Sequence, residues 1–273
     1  MLKDITLGQF FPGKSVLHKL DPRAKIIICI AYIVGIFLCE SVASYIFLII
    51  STLLLMLVSQ LPLKTVLKGL KPVVLVIFIT ALLNLLWRGG ETLLISFWIV
   101  NIYLEGVVSS IFMMIRIITL VIGTCVILTY TTSPIALTDA IERLLSPLRI
   151  FKIPVHSFAM MMTIALRFVP TLVEETDKIM NAQKARGSDF STGKLAERAK
   201  ALVPILVPLF ISAFRRADDL AVAMDCRCYR GGNGRTRMTK LHLAKRDFLF
   251  LFLVALFIAG VVLINIYIPI YTP

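Results

Sequence analysis

Two arginines stand forty-one positions apart in similar surroundings, Arg186 in Ala185-Arg186-Gly187 and Arg227 in Cys226-Arg227-Cys228. Aligning Asp177 with Asp218 brings Ala182 over Ala223 and Arg186 over Arg227, each time at the end of a stretch with helical spacing. Glycine follows both arginines, at Gly187 and at Gly231-Gly232, and glycine accepts the left-handed backbone that closes a helix. A cation suits that place, because the last carbonyls of a helix are unsatisfied and negative. The residues flanking each arginine are small, so the guanidinium protrudes. A protruding fork can enter a groove and hold a carboxylate through two parallel hydrogen bonds. Taken singly, these are two capped, solvated helix ends worth a few tenths to about 1 kcal/mol each. Their recurrence points further, since two like knobs call for two like sockets and hence a dimeric or pseudo-dimeric partner.

The elements that carry the knobs are set by composition. The chain has 273 residues, of which 58% are hydrophobic and 16% charged, and its mean hydropathy is +0.90. Soluble domains carry about a quarter charged residues, so the class is an all-α, polytopic membrane protein. Apolar runs predict about five spans, near 24–39, 42–59, 72–87, 106–130 and 248–268. The apolar run 92–104 is too short to cross and reads as an outer connecting segment or interfacial helix. The formal net charge of +13 reads as the positive-inside rule together with an acidic membrane surface or partner, rather than nucleic acid. Nineteen of the 29 Lys and Arg lie in 131–246, and most of the others lie in the first 25 residues or at Lys64, Lys68 and Lys71. That distribution predicts a cell-membrane protein with its N-terminus inside and its C-terminus outside. The N-terminal segment mixes charges with Phe10 and Phe11 and reads as no cleavable signal.

Three parts follow: an N-terminal arm with four spans over 1–130, a cytoplasmic region over 131–246, and a last span over 247–273. The middle part is too long for a loop and too apolar for an ordinary soluble domain. Residues 137–148 have amphipathic helical spacing, with Thr138 before Asp139 and Glu142 as a helix start. Longer helices are expected from about Val155 to Arg186 and from about Lys194 to Arg227. Pro170, Pro204 and Pro208 are expected to bend or interrupt them. Met160, Met161 and Met162 offer a flexible, polarizable surface suited to several partners, or else fill an internal core.

Other chemistries find little support. The five cysteines form no disulfide framework and no metal set, and Cys226 and Cys228 have no second Cys or His pair in reach. Arg230-Gly231-Gly232 opens a glycine-rich basic turn without the order of a phosphate-binding loop, which reads as a flexible turn near anionic headgroups. The spans contain no Asp or Glu, whereas an ion-coupled transporter usually keeps such groups inside the membrane. Arg116, the one charge inside a span away from its ends, is expected to reach water or a helix carbonyl, or to pair with a partner subunit. From a different class, a membrane-embedded enzyme would have to draw on His18, His156, His242 or the Glu174, Glu175, Asp177 cluster, which reads better as a solvated or salt-bridged face.

At Leu20-Asp21-Pro22-Arg23-Ala24-Lys25, at Leu166-Arg167-Phe168-Val169-Pro170, at the paired X-Arg-X tripeptides and at Tyr229-Arg230-Gly231-Gly232, the chain resembles the T component of energy-coupling-factor transporters, the membrane scaffold of a vitamin-uptake ABC importer. Ala185-Arg186-Gly187 fits the family's tripeptide, and Cys226-Arg227-Cys228 departs from it at both flanking positions. The resemblance implies a non-catalytic subunit with no cofactor of its own, ATP being bound by two cytosolic ABC-type ATPase subunits, a heterodimer. Coupling helices would end at Arg186 and Arg227, each docked into one ATPase. The face with Met160–Met162 would hold a separate membrane substrate-binding subunit. A related T component serves nickel or cobalt uptake.

Overall fold

A computed structural model describes residues 10–13, 15–89, 92–97, 100–152, 154–188, 195–231 and 241–268. The chain divides into two units, Thr138–Thr239 and Gly8–Leu137 with Lys240–Pro273, and each is described by itself.

The second unit is built on α1 (Pro22–Phe37), α2 (Val42–Ser59), α3 (Leu63–Leu70), α4 (Val74–Trp87), α5 (Leu104–Thr124) and α9 (Lys245–Tyr267). Each start has a chemical cause. Asp21 accepts from the amide of Arg23 at 2.9 Å, and Pro22 occupies the first turn of α1, where a missing N–H costs nothing. Ser41 and Ser44 cap α2 reciprocally. Asp247 caps α9 by accepting from the amide of Ala244 at 2.6 Å. Its other oxygen takes the amide of Asp21 at 2.8 Å, and Arg23 bridges Asp21 at 2.9 Å while donating to the carbonyl of Leu241 at 3.1 Å. The Leu20–Lys25 motif thereby staples the start of α1 to the start of α9.

The core of this unit joins Ile28, Tyr32 and Ile36 of α1 with Tyr45 and Leu48 of α2, Ile127, and Phe257 and Val261 of α9. Close approach is set by small residues, as expected where lipid removes the hydrophobic drive between helices. Gly123 receives the ring of Tyr32, and Gly35 receives Phe257. The Tyr32 hydroxyl hydrogen-bonds Thr52 at 2.8 Å, so this buried polar group is satisfied. Arg116 donates to the carbonyl of Cys39, just beyond α1, at 2.8 Å, and lies 5.7 Å from the Tyr45 ring centre. The acceptor is a backbone carbonyl, as expected for Arg116, but one in the turn between α1 and α2 rather than in a helix. α5 continues as a π-helical turn over Cys125–Thr129.

Three features differ from expectation. Residues 92–104 hold an antiparallel pair, β1 (Leu93–Phe97) and β2 (Val100–Tyr103), with Phe97 opposite Val100, rather than a helix. Its β-branched and aromatic content favours the extended form, and the segment still connects two spans. α6 (Pro134–Leu144) begins four residues before Thr138, because Ser133 accepts from the amide of Ala136 at 3.3 Å and Pro134 supplies the first turn. Leu148 falls in a 3-10 turn, Ser146–Phe151, beyond the helix.

The first unit consists chiefly of α7 (Val155–Ala185) and α8 (Leu195–Cys226). Pro170 lies inside α7, and Pro204 and Pro208 lie inside α8, without interrupting either helix.

Among the described residues, Val42–Ser59, Leu104–Thr129, Val155–Ala185 and Lys245–Tyr267 are long and apolar enough to cross a membrane. The α3–α4 pair, bent by 57°, makes up to five. α1, with 16 residues, falls short of that length. α7 passes with a mean hydropathy of 1.3, against 2.4, 2.5 and 3.0 for the others. Its C-terminal half carries Glu174, Glu175, Asp177, Lys178 and Lys184, charges that are expensive in hydrocarbon.

Candidate functional site, the paired helix ends

The arginine repeat is a repeat of backbone geometry. At the end of α7 the amide of Ser188 donates to the carbonyl of Gln183 at 3.0 Å, and that of Gly187 to Lys184 at 2.9 Å. At the end of α8 the amide of Tyr229 donates to Met224 at 3.1 Å, and that of Cys228 to Asp225 at 2.9 Å. Donors and acceptors correspond one for one at the forty-one-residue offset. In each case the residue after the arginine is left-handed, Gly187 at φ 90° and Cys228 at φ 55°. This bond pair, closed by a left-handed residue, is a common helix stop. Arg186 and Arg227 hold the same position in it.

The stop after α8 is therefore Cys228, three residues before Gly231, which is itself left-handed at φ 80°. Sequence reasoning placed it at Gly231-Gly232 because glycine is the usual residue there; a cysteine carries the strain instead. Gly232 and the rest of the basic turn lie outside the described residues. Ala185, Arg186, Gly187, Cys226, Arg227 and Cys228 are all exposed.

α7 and α8 run antiparallel against each other. Gln183 meets Pro204 and Glu175 meets Ser212, so descent along one helix is ascent along the other. Arg186 and Arg227 thus stand at opposite ends of the pair, roughly 40 Å apart at 1.5 Å per residue. Two polar links fix the register. Arg216 donates to Glu175 at 2.6 Å while the Ser212 hydroxyl donates to the same carboxylate, the salt-bridged face expected of Glu175. Gln183 donates to the carbonyl of Pro204 at 3.5 Å. The cause of that bond is Pro208: within a helix the carbonyl of Pro204 would accept from the amide four residues on, and proline has none. The freed acceptor is met by α7 next to Arg186. Sequence reasoning named no partner for Glu175 and missed the Gln183 link, for which the Pro204–Pro208 spacing was the available signal.

Between α7 and α8 lies a groove of about 280 Å³, with Ile164, Phe168 and Leu172 facing Ala213, Leu220 and Met224. Outside it the N-terminal part of each helix is conspicuously apolar. Phe158, Met161 and Met162 on α7 and Leu206, Phe210 and Phe214 on α8 are exposed. Met161 and Met162 are 59% and 41% exposed, so they fill no internal core, while Met160 is half-buried. Such a surface marks contact with lipid or another protein. Among the described residues no group of three or more His, Cys, Asp and Glu could hold a metal ion.

The family model described as "Cobalt transport protein" (CbiQ) matches residues 13–240. The chain is 55% identical over 250 residues to a protein of Clostridium kluyveri named "Energy-coupling factor transporter transmembrane protein EcfT", covering 91% of this chain and 92% of that one. Proteins of the same name in Ruminiclostridium cellulolyticum and Bacillus subtilis are 50% identical over 265 residues (97% and 98% of the two chains) and 44% identical over 247 (90% and 93%).

Proposed function

The chain belongs to the CbiQ/EcfT family of transporter transmembrane components, and from that premise we propose that it couples ATP hydrolysis by two cytosolic ATPase subunits to solute uptake through a separate membrane substrate-binding subunit. The observation that carries this reading is the pair of matching helix ends, each presenting an exposed arginine at an opposite end of one antiparallel pair. In this reading Arg186 and Arg227 enter equivalent sockets on the two ATPases, which form a heterodimer. The exposed apolar faces of α7 and α8, with Met160, Met161 and Met162, seat the substrate-binding subunit. ATP binds the partners, and this chain supplies no catalytic residue and no cofactor. The cargo is a vitamin or related micronutrient.

The orientation follows from charge. The N-terminus and the 131–246 region are cytoplasmic and the C-terminus lies outside, which puts nearly every Lys and Arg on the inner face. Closure of the ATPases on nucleotide draws the two tips with them, and the helix pair passes the movement to the membrane subunit. Such transmission requires contacts that differ between the two states.

The test is co-purification and coupled uptake of the full complex carrying Arg186→Ala, Arg227→Ala or both. Truncating one partner of a buried, hydrogen-bonded charge pair costs on the order of 2–5 kcal/mol. Each single change is expected to weaken ATPase recovery or to uncouple hydrolysis from uptake, and the double change to do so more severely. Wild-type uptake by the double variant refutes the reading. The description of the family model names cobalt, so a nickel or cobalt cargo is the second reading, and transport of labelled metal against labelled vitamin by the assembled complex separates the two.

A further inference from the structure

α3 has three chemically distinct faces. Thr65, Val66 and Gly69 turn inward. Val66 is buried, the Thr65 carbonyl accepts from the Tyr130 hydroxyl at 3.2 Å, and a Cβ on Gly69 would strike that hydroxyl. A second face carries Leu63 and Leu67, 65% and 62% exposed. A third carries Lys64, Lys68 and Lys71, all exposed and spaced i, i+4, i+7 along the next stripe. No carboxylate occurs anywhere between Glu40 and Glu91, and none of the three lysines has an ion-pair partner among the described residues. The helix then turns by 57° into the apolar α4.

That arrangement suits a helix lying in the membrane interface. One face is clamped to its own protein, and in an interface the leucines would face acyl chains while the lysines reach past them toward headgroups. The clamp is shared, because Tyr130 also accepts through its carbonyl from the amide of Phe11 at 3.0 Å, and Phe10 and Phe11 are themselves exposed aromatics. We propose that Lys64, Lys68 and Lys71, set beside Leu63 and Leu67, form a binding site for the headgroup of an anionic phospholipid. Uncompensated positive charge, an adjacent apolar stripe and anchorage at the foot of a span select a lipid over a protein carboxylate, which would leave the leucines uncovered. The inference requires only that α4 lies in the bilayer and does not depend on ATPase docking.

The full chain, reconstituted in mixed phosphatidylglycerol–phosphatidylcholine bilayers, is probed by electron paramagnetic resonance with spin-labelled versions of each lipid. Wild type is expected to hold phosphatidylglycerol at least about threefold over phosphatidylcholine at low salt, with the preference falling as salt rises. Lys64→Gln/Lys68→Gln/Lys71→Gln is expected to bring the ratio near unity. Lys178→Gln/Lys200→Gln/Arg215→Gln, which removes equal charge from α7 and α8, is expected to leave it unchanged. Retained selectivity in the α3 variant overturns the proposal. Equal loss in both variants also overturns it, by assigning the effect to net charge. Retained selectivity with lost recovery of partner proteins assigns the lysines to a protein contact instead. Should the triple variant fail to insert, Lys64→Gln and Lys68→Gln are read singly, each expected to lower the ratio in part, and an unchanged ratio in both sinks the site.

Discussion

The ammonium group of Lys25 donates to the carbonyl oxygen of Thr131 at 2.8 Å, and to the hydroxyl of Thr132 at 3.1 Å, from a side chain that is 1% exposed. A lysine at the foot of α1 therefore pins the turn that leads into α6. Its counter-charges are the buried carboxylates of Asp247 and Asp21. With Arg23, the group holds two positive and two negative charges. Removing one partner of such a set strands the others in a poorly solvated place.

Lys25→Met is expected to destabilise the protein by about 2–4 kcal/mol, since it deletes a charged hydrogen bond and unbalances the cluster while keeping the apolar stem. Adding Asp247→Asn restores the balance, so the double variant is expected to be more stable than the sum of the single losses. Unfolding in detergent across the double-mutant cycle measures this, and strict additivity would show the charges to be independent.

Gly123→Ala is expected to cost about 1–3 kcal/mol, because the new methyl group meets the buried ring of Tyr32. Gly89→Ala, where nothing lies within 4 Å of the added carbon, is expected to change little. A thermal shift of similar size in both would mean that α1 and α5 yield where the structure holds them.

Cys228→Gly is expected to stabilise the end of α8 by about 1 kcal/mol, and Gly187→Ala to destabilise the end of α7 by a similar amount. The sign follows from the left-handed backbone at both positions. Thermal unfolding of the two variants gives the comparison. Opposite signs to these would mean that the two helix ends are not closed in the same way.

Pro208→Ala supplies the amide that the Pro204 carbonyl lacks. α8 is expected to gain up to about 3 kcal/mol of local helix stability, while the bond from Gln183 loses its acceptor. Hydrogen exchange should show new protection at position 208 and faster opening near Gln183. Unchanged exchange at both places would remove proline as the cause of that contact.

Much of the architecture was legible because it is periodic. The apolar runs of α2, α5 and α9 are long enough to be read alone, and the α7 and α8 boundaries fall within a residue or so of the positions expected from Pro154, Gly187 and Arg227. The arginine register was legible too, since it depends on type and spacing along one chain. What escaped depends on neighbours. The Glu175–Arg216 pair joins two helices, and no local spacing announces it. The left-handed Cys228 breaks a residue preference, so preference pointed to the next glycines. The β1–β2 pair lies in an apolar run whose length suits an interfacial helix equally well. Ser133-Pro134 was a readable helix start, outweighed by the acidic residues after Thr138. Asp21, Arg23 and Lys25 were read only as N-terminal charges and as part of a resemblance, whereas their partners Asp247, Leu241 and Thr131 lie over a hundred residues away.

The antiparallel run of α7 and α8 and the forty-one-residue offset jointly imply a local two-fold axis. Stepping forty-one residues along the chain carries the end of one helix onto the end of the other, and the contacts Gln183–Pro204 and Glu175–Ser212 share one antiparallel register, which that step preserves. The axis passes near Val173 and Phe214, midway between the tips. A single polypeptide thereby presents the same backbone turn twice, related by half a turn. The inequality between the two tips is written in their side chains, Gly187 against Cys228, Ala185 against Cys226, Ser188 against Tyr229 and, with reversed charge, Lys184 against Asp225.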